Sequence, residues 1–381
     1  MFDKIYQYNF PTTIRFGAGV VNELGDYLKN NNLSNPLIVT DPVVAQLSFF
    51  KTIVGDLKKK NIGVEIFSDI HKNPVKSDVY KGTDAYDTTN RDSIIGIGGG
   101  AALDVARAIV LRVNHREDLF KYDDLIGGDI YVTNDVPHFI TIPTTAGTGS
   151  EVGRSAIIAD DETHQKKILF SPKLLAKIIF ADPVLTMELP PAVTAATGMD
   201  ALTHNLEAYI AKMEHPLCEG IALEGISLIG SAIEKAVNKP DLESRSKMLI
   251  ASLMGAVAFQ KGLGVVHSLA HPLSSLLDTH HGLANAVNLP YGMEFNAPVC
   301  EDKFRKIARA LEIKDETAKG VVNYLHELND KVNIPHKLSE IGVSAEHIET
   351  LSDLAIADFA HPNNPQPVTR EDFKNLYQKA L

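Results

Sequence analysis

Ser93–Val110 reads SIIGIGGGAALDVARAIV. A short run of branched residues passes through Gly96, Gly98, Gly99 and Gly100 into a segment of helical periodicity, Asp104–Val113 (DVARAIVLRV). Strand, glycine turn and helix in that order leave backbone N–H groups free at a helix start, and glycine lets an anion approach the main chain closely. The stretch reads as a βα unit able to cradle phosphate, although such a cluster also serves as a plain turn. Ala101 leaves only the looser form of the dinucleotide fingerprint.

Similar runs lie on either side: Leu37–Thr40 (LIVT), Val64–Phe67 (VEIF), Phe139–Pro143 (FITIP) and Ile178–Phe180 (IIF). They are brief, apolar on both faces and separated by helical stretches, the pattern of a parallel sheet covered by helices. Beyond Asp182-Pro183 the strand-like runs stop. Ala192–Ala211, Glu219–Val237, Arg245–His271, Lys303–Leu311, Ala318–Leu328 and Arg370–Leu381 all read as helices. The expected fold class is therefore α/β, a Rossmann-like N-terminal domain with a parallel sheet over residues 1–184, followed by an all-α C-terminal domain over residues 185–381.

Composition agrees with two folded domains. The chain has 381 residues, 44% hydrophobic and 22% charged, enough for two cores and too apolar for wholesale disorder. Lys and Arg total 37 against 48 Asp and Glu, a net charge of −11, so a dedicated nucleic-acid binder is not expected. Cys218 and Cys300 are the two cysteines, which excludes a disulfide scaffold and a thiolate zinc site. No run approaching 18 apolar residues is apparent, so no membrane span is expected. The opening MFDKIYQYNF lacks the order of a secretory leader, and a cytoplasmic protein is the expectation.

A second glycine loop strengthens the phosphate reading. Ile142–Val152 (IPTTAGTGSEV) follows another strand and interleaves Thr144, Thr145, Thr148 and Ser150 with glycines. Two such loops fit a nucleotide at the carboxyl edge of a parallel sheet. Asp41, at the end of the first run, reads either as an acceptor of ribose hydroxyls that favours NAD over NADP, or as a helix cap before Pro42.

The second half carries a different constellation. Val266–Gly282 (VHSLAHPLSSLLDTHHG) holds four of the fourteen histidines. His267 and His271 are four apart on a helix expected to stop at Pro272, so they share a face. Upstream, Asp200 and His204 repeat that spacing in Met199–Ala208 (MDALTHNLEA). Two such pairs plus His281 point to one metal ion in a mixed N/O shell, Fe²⁺ or Zn²⁺.

Taken together, Gly98–Asp104 (GGGAALD), Thr144–Val152, Thr197–Glu207 (TGMDALTHNLE) and Val266–Asn285 (VHSLAHPLSSLLDTHHGLAN) resemble the iron-dependent (group III) alcohol dehydrogenases, from Phe16–Gly19 (FGAG) to Asn364-Pro365. The resemblance implies the dehydroquinate synthase-like fold and homo-oligomeric assembly. It implies Asp200, His204, His267 and His281 as metal ligands, with His271 a non-ligating proton relay. Its NAD positions fall on Asp41, Asn73, Gly98, Gly99, Gly100, Asp104, Thr144, Thr145, Thr148 and Lys166. Ala101 departs from the usual Ser and removes one phosphate contact.

Within the family, Glu151–Asp160 (EVGRSAIIAD) and Gly255–Leu269 (GAVAFQKGLGVVHSL) look most like 4-hydroxybutyrate dehydrogenases. Arg154 and Lys261 are then candidates for holding a distal carboxylate, with Gln260 closer to the face of His267 on an unbroken helix; a salt bridge is the competing reading for Lys261. The expected reaction is metal-assisted hydride transfer between NAD and 4-hydroxybutyrate or succinate semialdehyde. Lactaldehyde or 1,3-propanediol reduction and hydroxyacid–oxoacid transhydrogenation are the alternatives. The Asp200/His204 pair speaks against a lyase of the dehydroquinate synthase type.

Overall fold

The computed structural model describes Phe10 and residues 12–381. They form two compact units, residues 12–145 with Gly149–Thr186, and Ala146–Thr148 with Met187–Leu381. A single boundary after residue 184 does not describe the three-residue segment Ala146–Thr148. Gly147 belongs with the helical unit: its carbonyl accepts the buried Ser252 hydroxyl at 3.0 Å, and a Cβ there would come within 2.8 Å of Thr197.

The α/β unit runs β1 (Thr13–Phe16), α1 (Leu24–Asn30), β2 (Pro36–Val39), α2 (Ser48–Lys59), β3 (Glu65–Phe67), α3 (Lys76–Thr88), β4 (Ser93–Gly98) and α4 (Gly100–Asn114). It continues with β5 (His138–Pro143), a hairpin of β6 (Ser155–Ala159) and β7 (Lys166–Phe170), and β8 (Ile178–Ala181). Six strands make one parallel sheet in the order β1-β8-β5-β4-β2-β3. β2, β4 and β8 are buried at every position, as their apolar runs require. On one face Leu24, Leu28, Phe50, Ile53 and Leu57 pack with Ile38, Ile95, Ile97, Ile140 and Ile142. Each such side chain contributes about 1.5–3 kcal/mol on burial.

Strand order fixes where a ligand fits. From β2 the chain moves outward to β3, and from β4 it moves the opposite way to β5. The switch point therefore lies between β2 and β4, where open α/β sheets bind ligands beyond their carboxyl ends. The residues following those two strands include Asp41 and Gly99. β1 and the β6–β7 hairpin add to the strands read from sequence. β1 (TIRF) is mostly exposed and carries no apolar run; its place comes from pairing with β8.

The helical unit contains α5 (Pro191–Ile210), α6 (Pro216–Asn238), α7 (Leu242–Ala258), α8 (Val265–Leu277), α9 (His281–Ala310), α10 (Ala318–Lys331), α11 (Ile348–Ile356) and α12 (Arg370–Ala380). Every residue of α5 from Gly198 to Ile210 is buried, so this helix is the core of the unit. α6 has the length and apolar composition to cross a bilayer, unlike any run expected from the sequence, yet it packs against α5 and α7.

Two helix expectations are corrected. Arg245–His271 is not one helix: α7 ends at Ala258, a tight turn covers Phe259–Lys261, and the chain bends by 107° before α8. Gly262 sits at φ 118°, where a Cβ would come within 2.6 Å of Asn363, so glycine is required there. Pro272 does not end its helix. α8 runs on to Leu277 because Pro272 and Leu273 are buried, and that packing outweighs the one backbone hydrogen bond proline forfeits.

Candidate active site

The helical unit gathers four side chains from three helices. Asp200 and His204 project from one face of α5, His267 from α8, and His281 opens α9. One donor atom from each lies within 4.8 Å of the others. Asp200 Oδ1 is 3.9 Å from His204 Nε2, 4.0 Å from His267 Nε2 and 3.5 Å from His281 Nε2. Those spacings suit bonds of about 2.0–2.2 Å from one carboxylate oxygen and three imidazole nitrogens to a divalent first-row cation. Burial acts to raise the Asp200 pKa, but His204, His281, His267 and the Asn285 amide overcome it and hold the carboxyl at about 2. Burial and the neighbouring imidazoles push His267 well below the ordinary histidine value. The cluster thus favours a carboxylate and a neutral His267, the protonation states that metal binding needs.

Three residues around this cluster were not singled out from sequence. Glu207 Oε2 lies 2.6 Å from His267 Nδ1, both side chains being buried. Burial raises Glu207 to about 7 against the backbone hydrogen bonds it accepts. Asn285 donates from Nδ2 to Asp200 Oδ1 at 2.7 Å, and that nitrogen is 3.3 Å from His267 Nε2 and 3.1 Å from His281 Nε2. Glu207 is three residues after His204 and Asn285 four after His281, so the helical spacing that joined the histidine pairs also reaches them. Asp358 has no such local signal. It accepts from His271 Nδ1 at 2.7 Å and from the Ser268 hydroxyl at 2.6 Å. Burial opposes its ionisation, and His271 with Ser268 prevails, keeping the carboxyl below its usual value. The His271 ring stacks on Phe359 at 5.3 Å, and Phe259 lies 5.2 Å from the His204 ring.

In the α/β unit the two glycine loops touch. The Thr144 amide donates to Gly98 O at 3.0 Å, which joins the carboxyl ends of β4 and β5. Gly98 adopts φ 153°, and a Cβ there would meet Ala102 at 2.7 Å. At Gly99 it would come within 3.3 Å of Thr145, leaving the start of α4 bare of side chains at Gly99 and Gly100. A helix start of this kind leaves room for an anion to reach the backbone N–H groups. Asp41 Oδ1 caps the turn, accepting the Val43 and Val44 amides at 2.9 Å, and its Oδ2 faces Gly98. Asn73 precedes Pro74, whose carbonyl accepts the Ala159 amide, and Lys166 opens β7 opposite Ala159. Thr148 lies in the short segment that joins the helical unit.

Other expected contacts are redirected. Asp104 is engaged within the α/β unit: Oδ1 accepts Ser150 Oγ at 2.7 Å and Arg107 Nη1 at 3.2 Å, and Oδ2 accepts the Ile157 amide. With the fully buried Arg107 it ties the Thr/Gly loop and β6 to α4. Lys261 is also redirected. Its ammonium is wholly buried, 2.9 Å from Glu219 and 2.8 Å from Tyr209 O, the salt bridge of the competing reading. Gln260 loses its place on the His267 face because the helix breaks, and its Nε2 donates back to Val257 O. Arg154 lies over the Phe170 ring and makes no ion pair among the described residues.

The arrangement has known counterparts. Residues 11–183 match the model of the iron-containing alcohol dehydrogenases, and residues 194–381 that of the C-terminal part of the Fe-containing alcohol dehydrogenase family. A 4-hydroxybutyrate dehydrogenase of Cupriavidus necator is 33% identical, the match covering 98% of this chain and 99% of that protein. A lactaldehyde reductase of Escherichia coli K12 is 32% identical over 97% of each. Among solved structures, a 1,3-propanediol oxidoreductase superposes with a TM-score of 0.95 at 30% identity, covering 99% of this chain and 100% of that one. A parallel-sheet unit with a glycine cradle, a helical unit with one carboxylate among three imidazoles, and full-length similarity of this extent lead to one assignment: the chain is an oxidoreductase belonging to the iron-containing alcohol dehydrogenase family.

Proposed function

We propose that this enzyme interconverts a short primary alcohol and its aldehyde with NAD, and that the pair is 4-hydroxybutyrate and succinate semialdehyde. In this reading residues 1–184 bind the dinucleotide and residues 185–381 hold the metal and the reacting carbon. Asp200, His204, His267 and His281 hold a divalent cation, Fe²⁺ or Zn²⁺. The Gly98–Gly100 turn, Thr144 and Thr145 receive the pyrophosphate, and Asp41 Oδ2 receives a ribose hydroxyl, which disfavours a 2′-phosphate. When bound, the cation supplies Lewis acidity at the alcohol oxygen and NAD accepts the hydride. His271 takes up the alcohol proton at Nε2, since Asp358 holds Nδ1 and stabilises the charge the ring acquires.

The observation that carries the substrate reading is the contrast between two cations. Lys261 is spent on Glu219, whereas Arg154 has no acidic partner among the described residues and directly follows the Thr/Gly loop. A guanidinium suits bidentate recognition of a carboxylate. The sequence similarity to a 4-hydroxybutyrate dehydrogenase supports the same choice. NADH oxidation with succinate semialdehyde, butanal and 3-hydroxypropanal tests it. Succinate semialdehyde should give the highest kcat/KM, and Arg154→Gln should lower that value alone. A preference for either neutral aldehyde defeats the reading.

One observation favours a neutral substrate instead. Phe259 and Phe359 put apolar rings beside His204 and His271, walls suited to an aliphatic alcohol. The similarity to a lactaldehyde reductase and a 1,3-propanediol oxidoreductase points the same way. The same aldehyde panel decides between the two.

A further inference from the structure

We propose that Glu207 is a positioning residue that fixes which nitrogen of His267 faces the donor cluster, and so sets the affinity of the site for a divalent cation. The inference rests on the reading that Asp200, His204, His267 and His281 hold that cation.

The geometry bears on the tautomer from both sides of one ring. On the outer side, Glu207 Oε2 lies 2.6 Å from Nδ1, while Oε1 accepts the Val266 amide at 2.7 Å. In its ionised form Glu207 only accepts, so Nδ1 then carries the proton. On the inner side, Nε2 is 3.3 Å from the Asn285 amide nitrogen, whose two hydrogens are shared with Asp200 Oδ1 and His281 Nε2, a contact that a bare Nε2 accepts. The outer contact sets the form and the inner one accommodates it: Nδ1–H outward, Nε2 bare inward. That form presents a ligating lone pair to the cluster.

The placement of Glu207 is built rather than incidental. It comes from α5, one turn beyond His204, and its carboxylate meets the first turn of α8 just after the 107° bend. Besides Val266, it accepts the His267 amide at 3.4 Å. Gly264 leaves room for it, since a Cβ there would come within 2.9 Å of Oε1. One carboxylate thus caps the helix that carries His267 and orients its ring. A capping role alone would need neither the 2.6 Å contact to Nδ1 nor a ring with its other nitrogen in the cluster.

Glu207→Gln separates the two roles. The amide keeps the shape and one acceptor for the backbone, but its NH₂ presents a donor toward Nδ1. His267 is then driven to carry its proton on Nε2, where a cation must bind. The test uses the full chain, stripped of metal by chelation and titrated with Co²⁺ against a competing chelator, with visible absorption as the readout. Wild type should bind Co²⁺ and Glu207→Gln should bind it roughly 10- to 100-fold more weakly, with far-ultraviolet circular dichroism unchanged. A folded Glu207→Gln protein with wild-type Co²⁺ affinity overturns the inference while leaving the metal reading intact. A wild-type chain that takes up no Co²⁺ sinks the metal reading itself. Should the variant fail to fold, ¹⁵N NMR of the metal-free wild-type histidines decides: His267 protonated at Nδ1 upholds the assignment, and at Nε2 it overturns it.

Discussion

Lys261 and Glu219 form an ion pair at 2.9 Å in which the lysine is wholly buried. Lys303 reaches the same carboxylate at 3.2 Å, and both ammoniums donate to Tyr209 O. Burial pushes Lys261 down to about 8, with Lys303 adding to the shift and Glu219 opposing it. The pair closes the turn between α7 and α8.

The two partners should therefore respond unequally to substitution. Glu219→Gln leaves two cations without their carboxylate and should cost about 3–5 kcal/mol in urea unfolding. Lys261→Met leaves Glu219 paired with Lys303 and should cost about 1 kcal/mol or less. Its KM for succinate semialdehyde should match wild type. A KM that rises for succinate semialdehyde and not for butanal would return Lys261 to the substrate site.

His271 and Asp358 make the second testable pair. His271→Gln should lower kcat roughly 100-fold and flatten its pH profile, because the proton acceptor is lost. Asp358→Asn keeps the imidazole and loses the carboxylate that orients it, so its kcat should fall between wild type and His271→Gln. An unchanged rate and pH profile in His271→Gln would remove this residue from proton transfer.

How far the sequence reached follows from the range of each interaction. The runs that became β2, β4, β5 and β8 were legible because strands buried on both faces must be apolar throughout. Asp200 and His204 were legible as a pair because i,i+4 spacing on a helix is local, whereas the choice of His267 and His281 over His271 came from the family resemblance. The α7–α8 break was not: Gly262 and Gly264 stand in a segment whose helical periodicity continues past them, and what forbids a side chain is Asn363 at Gly262, and Asn364 with Glu207 at Gly264, all distant in sequence. Lys261 was ambiguous for the same reason, its partner lying on α6. Asp358, 87 residues from His271, sent no signal into the histidine motif.

Glu151 gives a prediction about pH. Burial lifts its carboxyl to about 7, the Arg107 charge offsetting only part of this, and its Oε1 has no hydrogen-bond partner. A folded-state pKa above the ordinary 4.5 means the folded chain holds this proton more tightly than the unfolded one. The resulting stability is fully present below pH 4.5 and is lost as pH rises through 7, about 3 kcal/mol in all. Glu151→Gln should remove that slope. Urea unfolding at pH 5 and pH 8 checks it: the variant should gain on wild type at the higher pH, and parallel curves would show that the carboxyl ionises freely.

Asp200 and the metal give the last prediction. A divalent cation held by one carboxylate and three imidazoles would bind the folded chain and not the unfolded one, and so should raise stability. At 100 times its dissociation constant the gain is about 2.7 kcal/mol, which for a unit of this size is roughly 5–10 °C in Tm. Chelation should reverse the shift. Asp200→Asn removes the one anionic donor and should abolish the response to Zn²⁺ or Co²⁺. It should also destabilise the metal-free protein, because the Asn285 amide loses the carboxylate it donates to. Differential scanning calorimetry with and without the ion measures both effects. A metal-induced shift in Asp200→Asn equal to that of wild type would place the ion at other residues and leave the Asp200 cluster without its assigned role.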